Sequence, residues 1–331
     1  TGGSGDDVLT VTDGTFATID GGEGFDSVQL MADFGGSLDL SAVELITGGS
    51  GDDVLTVTDG TFATIDGGDG FDSVQLTGDF GGIVDLSGVE TVTGGAGADI
   101  LTVTDGTFAT IDGGDGFDSV QLTDDFGGIV NISAVESVTG GAGADILTVT
   151  DGTFATIDGG DGFDSVQLTD DFGGRVSVEG VERVSGGFGF DEVTLTDDFG
   201  GIVDLSGVET VTGGSGDDVL TVTDGTFATI DGGEGFDSVQ LMADFGGSLD
   251  LSAVELITGG SGDDVLTVTD GTFATIDGGD GFDSVQLTGD FGGIVDLSGV
   301  ETVTGGAGAD ILTVTDGTFA TIDGGDGFDS V

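Results

Sequence analysis

The chain contains no cysteine, proline, histidine, tryptophan or tyrosine, and its only basic residues are Arg175 and Arg183. Without cysteine there is no disulfide framework, no thiolate metal site and no thiol nucleophile, and without histidine the remaining common zinc ligand is missing as well. Two arginines cannot build a basic patch, which excludes nucleic acid and anionic lipid as partners. No apolar run approaches the roughly 20 residues of a membrane helix, and the opening residues Thr1, Gly2 and Gly3 carry no basic-then-apolar export signal. Nothing sustains a helical period of 3.6, so strands and turns must account for the chain.

Acid dominates what is present. Sixty-four acidic residues give a formal charge of −62, a density at which carboxylates repel and a chain with few aromatics would ordinarily stay disordered. Yet 36% of the residues are hydrophobic and arranged with strict periodicity, so the charge must be met by bound cations when the chain folds. The carriers stand out: Gly-Gly-x-Gly-x-Asp, with an aliphatic residue close behind, occurs fifteen times, from Gly2–Asp7 to Gly324–Asp329. Glycine lets the backbone turn its carbonyl oxygens toward one point, aspartate adds a hard anionic oxygen, and the aliphatic residue starts a strand.

Motif starts at Gly2, Gly21, Gly48, Gly67, Gly94, Gly113, Gly140 and Gly159 are separated alternately by 19 and 27 residues, a 46-residue unit in two parts. The alternation breaks across residues 159–212, where one short part is skipped, and then resumes. Residues 1–120 and 212–331 are identical letter for letter. Periods of this size mean a solenoid. The short part places Leu9, Val11, Ala17 and Ile19 on one face; the long part places Val28, Leu30, Leu38 and Leu40 there, then steps by three through Val43 and Ile46. That change of step predicts an extra corner at Ser41-Ala42-Val43-Glu44. The expectation is an all-β, right-handed parallel β-solenoid of the β-roll kind, one continuous array over residues 1–331 with alternating 19- and 27-residue coils. Phenylalanine, the only aromatic, recurs at fixed places such as Phe16, Phe25 and Phe34, and reads as packing ladders or turn plugs.

The glycine-aspartate nonapeptide resembles the repeats-in-toxin family of secreted bacterial calcium-binding proteins. The resemblance implies ions seated between turns of adjacent coils, held by carbonyls of the glycine-rich hexapeptide and by the motif aspartates Asp7, Asp26, Asp53, Asp72, Asp99, Asp118, Asp145, Asp164, Asp191, Asp218, Asp237, Asp264, Asp283, Asp310 and Asp329. In that family the nonapeptides run in tandem and alternate between two edges. One motif per coil predicts instead that all fifteen line up along a single edge here. Oxygen donors without histidine or cysteine favour calcium over zinc, and a flexible carbonyl-rich cage favours it over magnesium. Asp13, Asp33, Asp59, Asp79, Asp105 and Asp125 on the opposite edge read as solvated turn caps, with a second ion row as the alternative, and Asp20 and its copies could add an oxygen to alternate sites.

The chain opens inside one motif and stops inside another, so it is expected to be a segment of a longer or processed protein. Uncapped repeats at both ends predict head-to-tail stacking into fibres. The functional expectation is a calcium-stabilised structural rod, extracellular or at the cell surface, serving as a filament, matrix fibre or adhesin stalk. The alternatives are a folding and secretion module of a larger secreted enzyme or toxin, and a surface- or ice-binding region suggested by Thr10 and Thr12. Catalysis is not expected, because identical repeats provide identical environments and no acid–base pair is set apart. The one idiosyncratic stretch, Gly173–Arg183, reads as a lateral contact through Arg175 and Arg183 or as a drifted repeat.

Overall fold

The computed structural model describes all residues except 13–15, 32–34, 59–61, 79–80, 105–107, 124–125, 152–153, 170–173, 197–201, 225–226, 243–244, 246, 270–272, 289–290 and 317–320. These residues form two compact units, Thr1–Thr169 and Asp170–Val331. Each is built from short strands in two parallel sheets, and no helix occurs among the described residues.

In the first unit one sheet begins with Val8–Val11, Ser27–Leu30, Leu45–Thr47, Phe62–Asp66, Ile83–Ser87 and Ile100–Val103, stacked in that order. The other begins with Phe16–Asp20, Ser37–Ser41, Val54–Val57, Ser73–Leu76, Thr91–Thr93 and Phe108–Asp112. The chain crosses from one sheet to the other at every corner, and each strand pairs with the strand one full coil away. Alternation of period two turns every second residue inward, where Val28, Leu30, Leu38, Leu40, Leu55, Val57, Ala63 and Ile65 are buried, as the sequence pattern requires. A lone strand pair could not bury this face, and stacking supplies the missing cover. The second unit repeats the arrangement from Arg175–Glu179 and Arg183–Ser185 onward.

The parallel β-solenoid is thus the observed fold, with coils of about 19 residues, but the alternation of 19 and 27 is one of motif spacing and not of coil length. Leu9, Val28, Ile46, Ile65, Leu86 and Val103 follow one another in register, in steps of 17 to 21 residues. From the strand at Val8 to its copy at Ile100, 92 residues later, the sheet adds five coils, so a 46-residue unit makes two and a half. The half coil comes from the extra corner at Ala42-Val43-Glu44. It returns the chain to the first sheet at Leu45–Thr47 instead of adding a third side to a long coil. Ala42 turns it at φ 49°, and the same place is taken by Gly88 at φ 56° and Ala134 at φ 48°. Because of the half coil, the Val-Leu-Thr-Val strand lies in one sheet at Val8–Val11 and in the other at Val54–Val57.

The phenylalanines separate into two groups. Phe126, Phe245 and Phe291, from the Asp-Phe-Gly-Gly turns, are buried as turn plugs. Phe25, Phe71, Phe117, Phe163, Phe236 and Phe282, from the glycine motifs, are exposed, which corrects the expectation that they pack internally. Their position just before the motif aspartate puts them on the outer side of a corner whose aspartate points in. Phe16 and Phe62 have backbones in the strands Phe16–Asp20 and Phe62–Asp66, while Phe34 and Phe80 lie outside the described residues.

The coil length is open to a direct check. Gln29 and Thr47 are register partners, whereas a 27-residue coil would place Gln29 beside Thr56. Register partners on neighbouring strands lie within disulfide reach. A Gln29→Cys/Thr47→Cys variant should therefore cross-link on mild oxidation in calcium, and a Gln29→Cys/Thr56→Cys variant should not; the reverse outcome contradicts the five-coil count.

Candidate metal centre

Every glycine motif forms a corner between the two sheets, and the half coil decides which edge it occupies. Asp7 and Asp26 precede strands of the first sheet, Asp53 and Asp72 strands of the second, Asp99 and Asp118 strands of the first, and Asp145 and Asp164 strands of the second. In the second unit Asp191 stands before one sheet, Asp218 and Asp237 before the other, and Asp264 and Asp283 before the first again. Asp310 and Asp329 follow on the remaining edge, where Ile311 bridges Ser330. The single edge expected from the sequence is corrected: within each unit the motifs come in blocks, of two except for the single motif at Asp191, that switch edge from block to block.

Within a block the aspartates are linked. The Asp7 N–H donates to Asp26 Oδ1 at 2.8 Å, and the Asp26 N–H donates in turn to Glu44 Oε2 at 2.7 Å. The pair of bonds recurs through Asp53, Asp72 and Glu90 at 2.7 and 2.7 Å, through Asp99, Asp118 and Glu136 at 2.8 and 2.8 Å, and through Asp264, Asp283 and Glu301 at 2.8 and 2.8 Å. Glu44 and its copies thus belong to the corners, although they lie outside the glycine motif. The signal was present in the sequence, since a glutamate follows the second motif aspartate of each block by 18 residues.

The motif aspartates from Asp26 to Asp310 have no solvent exposure, while the outermost two, Asp7 and Asp329, are half-buried. Hydrogen bonding leaves oxygens over. Asp53 Oδ2 accepts the Gly49 N–H at 3.4 Å and Asp99 Oδ2 the Gly95 N–H at 3.2 Å, but Asp53 Oδ1 and Asp99 Oδ1 are buried with no hydrogen-bond donor. Asp72 Oδ2, Asp118 Oδ2, Asp237 Oδ2 and Asp283 Oδ2 are in the same condition. No cation of the chain compensates them: among the described residues the recorded ion pair is Arg175 with Glu192, which are cross-strand partners at 3.0 Å. Uncompensated burial of a carboxylate is costly. Burial first, then the neighbouring charges of Asp53 and Glu90, push Asp72 up to about 6. Burial does the same to Asp118, Asp237, Asp264 and Asp283, and raises Asp53, Asp99, Asp145 and Asp310.

The backbone supplies the rest of a cage. A Cβ on Gly48 would run into the carbonyl oxygen of Gly67 on the next coil, and one on Gly94 into that of Gly113, so glycine is what lets the carbonyls of successive corners close on one another. Among the described residues no three acidic side chains converge as a ligand group. The donor set is therefore one carboxylate per corner with many carbonyls, hard oxygens in a flexible frame, which suits calcium and fits neither zinc nor an octahedral magnesium site. Asp66 Oδ1 accepts the Gly68 N–H at 3.2 Å, and Asp112, Asp158, Asp231, Asp277 and Asp323, copies like it of Asp20, hold their turns in the same way. The turn aspartates Asp13, Asp33, Asp59, Asp79, Asp105 and Asp125 lie outside the described residues.

These carboxylates fix the pH response. In the metal-free stack their pKa values stand above those of the unfolded chain, so between about pH 4 and pH 6 the folded state holds more protons and gains stability as pH falls. That stability is lost as pH rises through about 6. Metal-free protein should show more β-structure by far-ultraviolet circular dichroism at pH 4.5 than at pH 7.5, and the calcium-folding midpoint should move to higher calcium at pH 5.5, where protons compete for the same oxygens. Equal spectra at both pH values, with an unmoved midpoint, would contradict the assignment.

A family model of the RTX calcium-binding nonapeptide repeat (4 copies) matches residues 43–61, 86–107, 205–226, 254–272 and 297–318. Each matched segment runs from a glutamate corner through the first motif of the following block. Neither the curated proteins nor the solved structures contain a match to the chain. The matched segments are calcium-binding RTX nonapeptide repeats, and together with a parallel β-solenoid whose glycine corners bury their aspartates they support an RTX β-roll.

Proposed function

We propose that this calcium-binding β-roll is a structural element, an extracellular or cell-surface rod that stiffens as it loads calcium and extends into a filament, matrix fibre or adhesin stalk by coil stacking. The observation that carries the reading is the run of buried motif aspartates with unused oxygens between coils. At neutral pH, where these carboxylates are ionised, a stack that places one in every glycine corner holds together only where divalent cations sit between them, which ties rigidity to calcium. Sites of extracellular modules fill at roughly 10⁻⁴–10⁻³ M calcium, a level found outside cells. With free calcium tenfold above its dissociation constant, each site adds about 1.4 kcal/mol, so a handful of sites matches the ~5–15 kcal/mol of an ordinary domain.

Repetition supports a mechanical role over a catalytic one. Asp53, Asp99, Asp145 and Asp310 share the same burial and the same direction of pKa shift, so no carboxylate is set apart as an acid or a base. Stacking by parallel ladders also gives assembly a simple route: a coil of another copy can add through the bonds that join coils within a unit, and a head-to-tail addition that does not close produces a fibre. The pairing of Arg175 with Glu192 leaves Arg183 as the basic residue for a lateral contact.

In millimolar calcium, negative-stain microscopy should show elongated particles that lengthen with protein concentration, and a chelator should abolish them together with the β-sheet circular-dichroism signal. Short monodisperse particles in calcium, or a spectrum indifferent to the chelator, would reject the proposal.

A further inference from the structure

Glycine-motif blocks are followed by a corner of a different kind, three residues long, with Ala42, Gly88, Ala134, Gly180, Gly207, Ala253 or Gly299 at positive φ and a glutamate two residues later. This corner reproduces what passes between two motifs. Between motifs, the first glycine of one corner lies against the carbonyl oxygen of the next, Gly48 against Gly67. At the end of the block, Gly67 lies in the same way against the carbonyl oxygen of Gly88, Gly21 against that of Ala42 and Gly113 against that of Ala134. Between motifs, the aspartate N–H donates to the next aspartate's Oδ1; at the end of the block it donates to glutamate Oε2.

The oxygen left over points into the same place. A Cβ built on Gly67 would stand 2.8 Å from Asp72 Oδ2 as well as against the Gly88 carbonyl, so these two oxygens border one small volume that only a glycine leaves open. Asp72 Oδ2 is fully buried and has no donor. Asp118 Oδ2 meets the Ala134 carbonyl over Gly113, and Asp283 Oδ2 meets the Gly299 carbonyl over Gly278, in the same manner. A fully buried aspartate oxygen without a donor, bordered by a corner carbonyl and by the glutamate carboxylate to which its own N–H donates, calls for a cation. Asp66 borders the corner too, with its Oδ1 3.5 Å from a Cβ built on Gly88.

We propose that the gap between the last motif of each block and the glutamate corner after it is a calcium site of its own class, in which the glutamate takes the place of a further motif aspartate. The proposal rests on the calcium reading of the motif corners. The three-residue corner brings fewer carbonyls than a glycine hexapeptide, so this class is the weaker and the more hydrated, and it closes each row of ions before the next block starts on the opposite edge. The irregular stretch retains it: Asp191 donates to Glu209 Oε2 at 2.9 Å and Gly186 lies against the Gly207 carbonyl, so the block with a single motif still ends on a glutamate gap.

The test compares the full chain with a variant carrying Glu44→Gln, Glu90→Gln, Glu136→Gln, Glu209→Gln, Glu255→Gln and Glu301→Gln. Glutamine keeps an acceptor for each aspartate N–H and removes the charge. Equilibrium dialysis against radioactive calcium should show one ion lost for each glutamate replaced, with the tighter class unchanged. An unchanged number of bound ions overturns the proposal and leaves the motif sites standing, whereas a natural chain that binds no calcium overturns both. Should the variant fail to fold even in calcium, terbium luminescence of the natural chain decides, with two decay lifetimes expected from two degrees of hydration and a single lifetime overturning the second class.

Discussion

The architecture depends on charge brought inside. The glycine corners from Asp26 to Asp310 turn their aspartates fully inward, where Asp53, Asp72, Asp99, Asp118 and Asp283 each keep an oxygen without a donor. In a chain of formal charge −62 with two arginines, the protein cannot supply the compensating charge itself. The hydrophobic ladders of valine, leucine and isoleucine make the stack possible in shape, but the corners decide whether it is occupied. Protons and calcium compete for that decision: burial that lifts Asp72 toward 6 also makes its ionised form costly until a cation arrives.

A second constraint is numerical. The repeat of 46 residues holds two and a half coils, so successive repeats sit half a turn apart and present their motifs on opposite edges. This spreads the acid over both edges instead of concentrating it on one, which lowers the repulsion that a single unbroken row would carry. It also means that every coil with a motif on one side has a turn or a glutamate corner on the other. The exposed Phe25, Phe71, Phe117 and Phe163 follow the same alternation, because each belongs to the second motif of its block.

Much of this was legible in the sequence. Period-two alternation marked the inward residues Leu38, Leu40, Leu55 and Val57, all of which are buried, and the glycine hexapeptide marked the fifteen corners. The three-residue steps through Val43 and Ile46 revealed that the chain turns at Ala42-Val43-Glu44. What they could not reveal is that the turn crosses to the other sheet, because a three-residue corner lacks the glycine signature and motif spacing then passes for coil length. Glu44 was hidden for the same reason: its role depends on Asp26 from the preceding coil, a neighbour 18 residues away that only the register brings close. The motif phenylalanines were misplaced because recurrence at fixed places was read as packing, whereas in a corner neither recurrence nor strand alternation says which way a side chain points.

Cryo-electron microscopy of the protein in millimolar calcium tests the central claim most directly, because ion density and coil register appear in one map. The account predicts ions between successive glycine corners, beside the buried aspartate oxygens, in short rows that change edge from block to block. Corners without density, or ions in one unbroken row along a single edge, would contradict it.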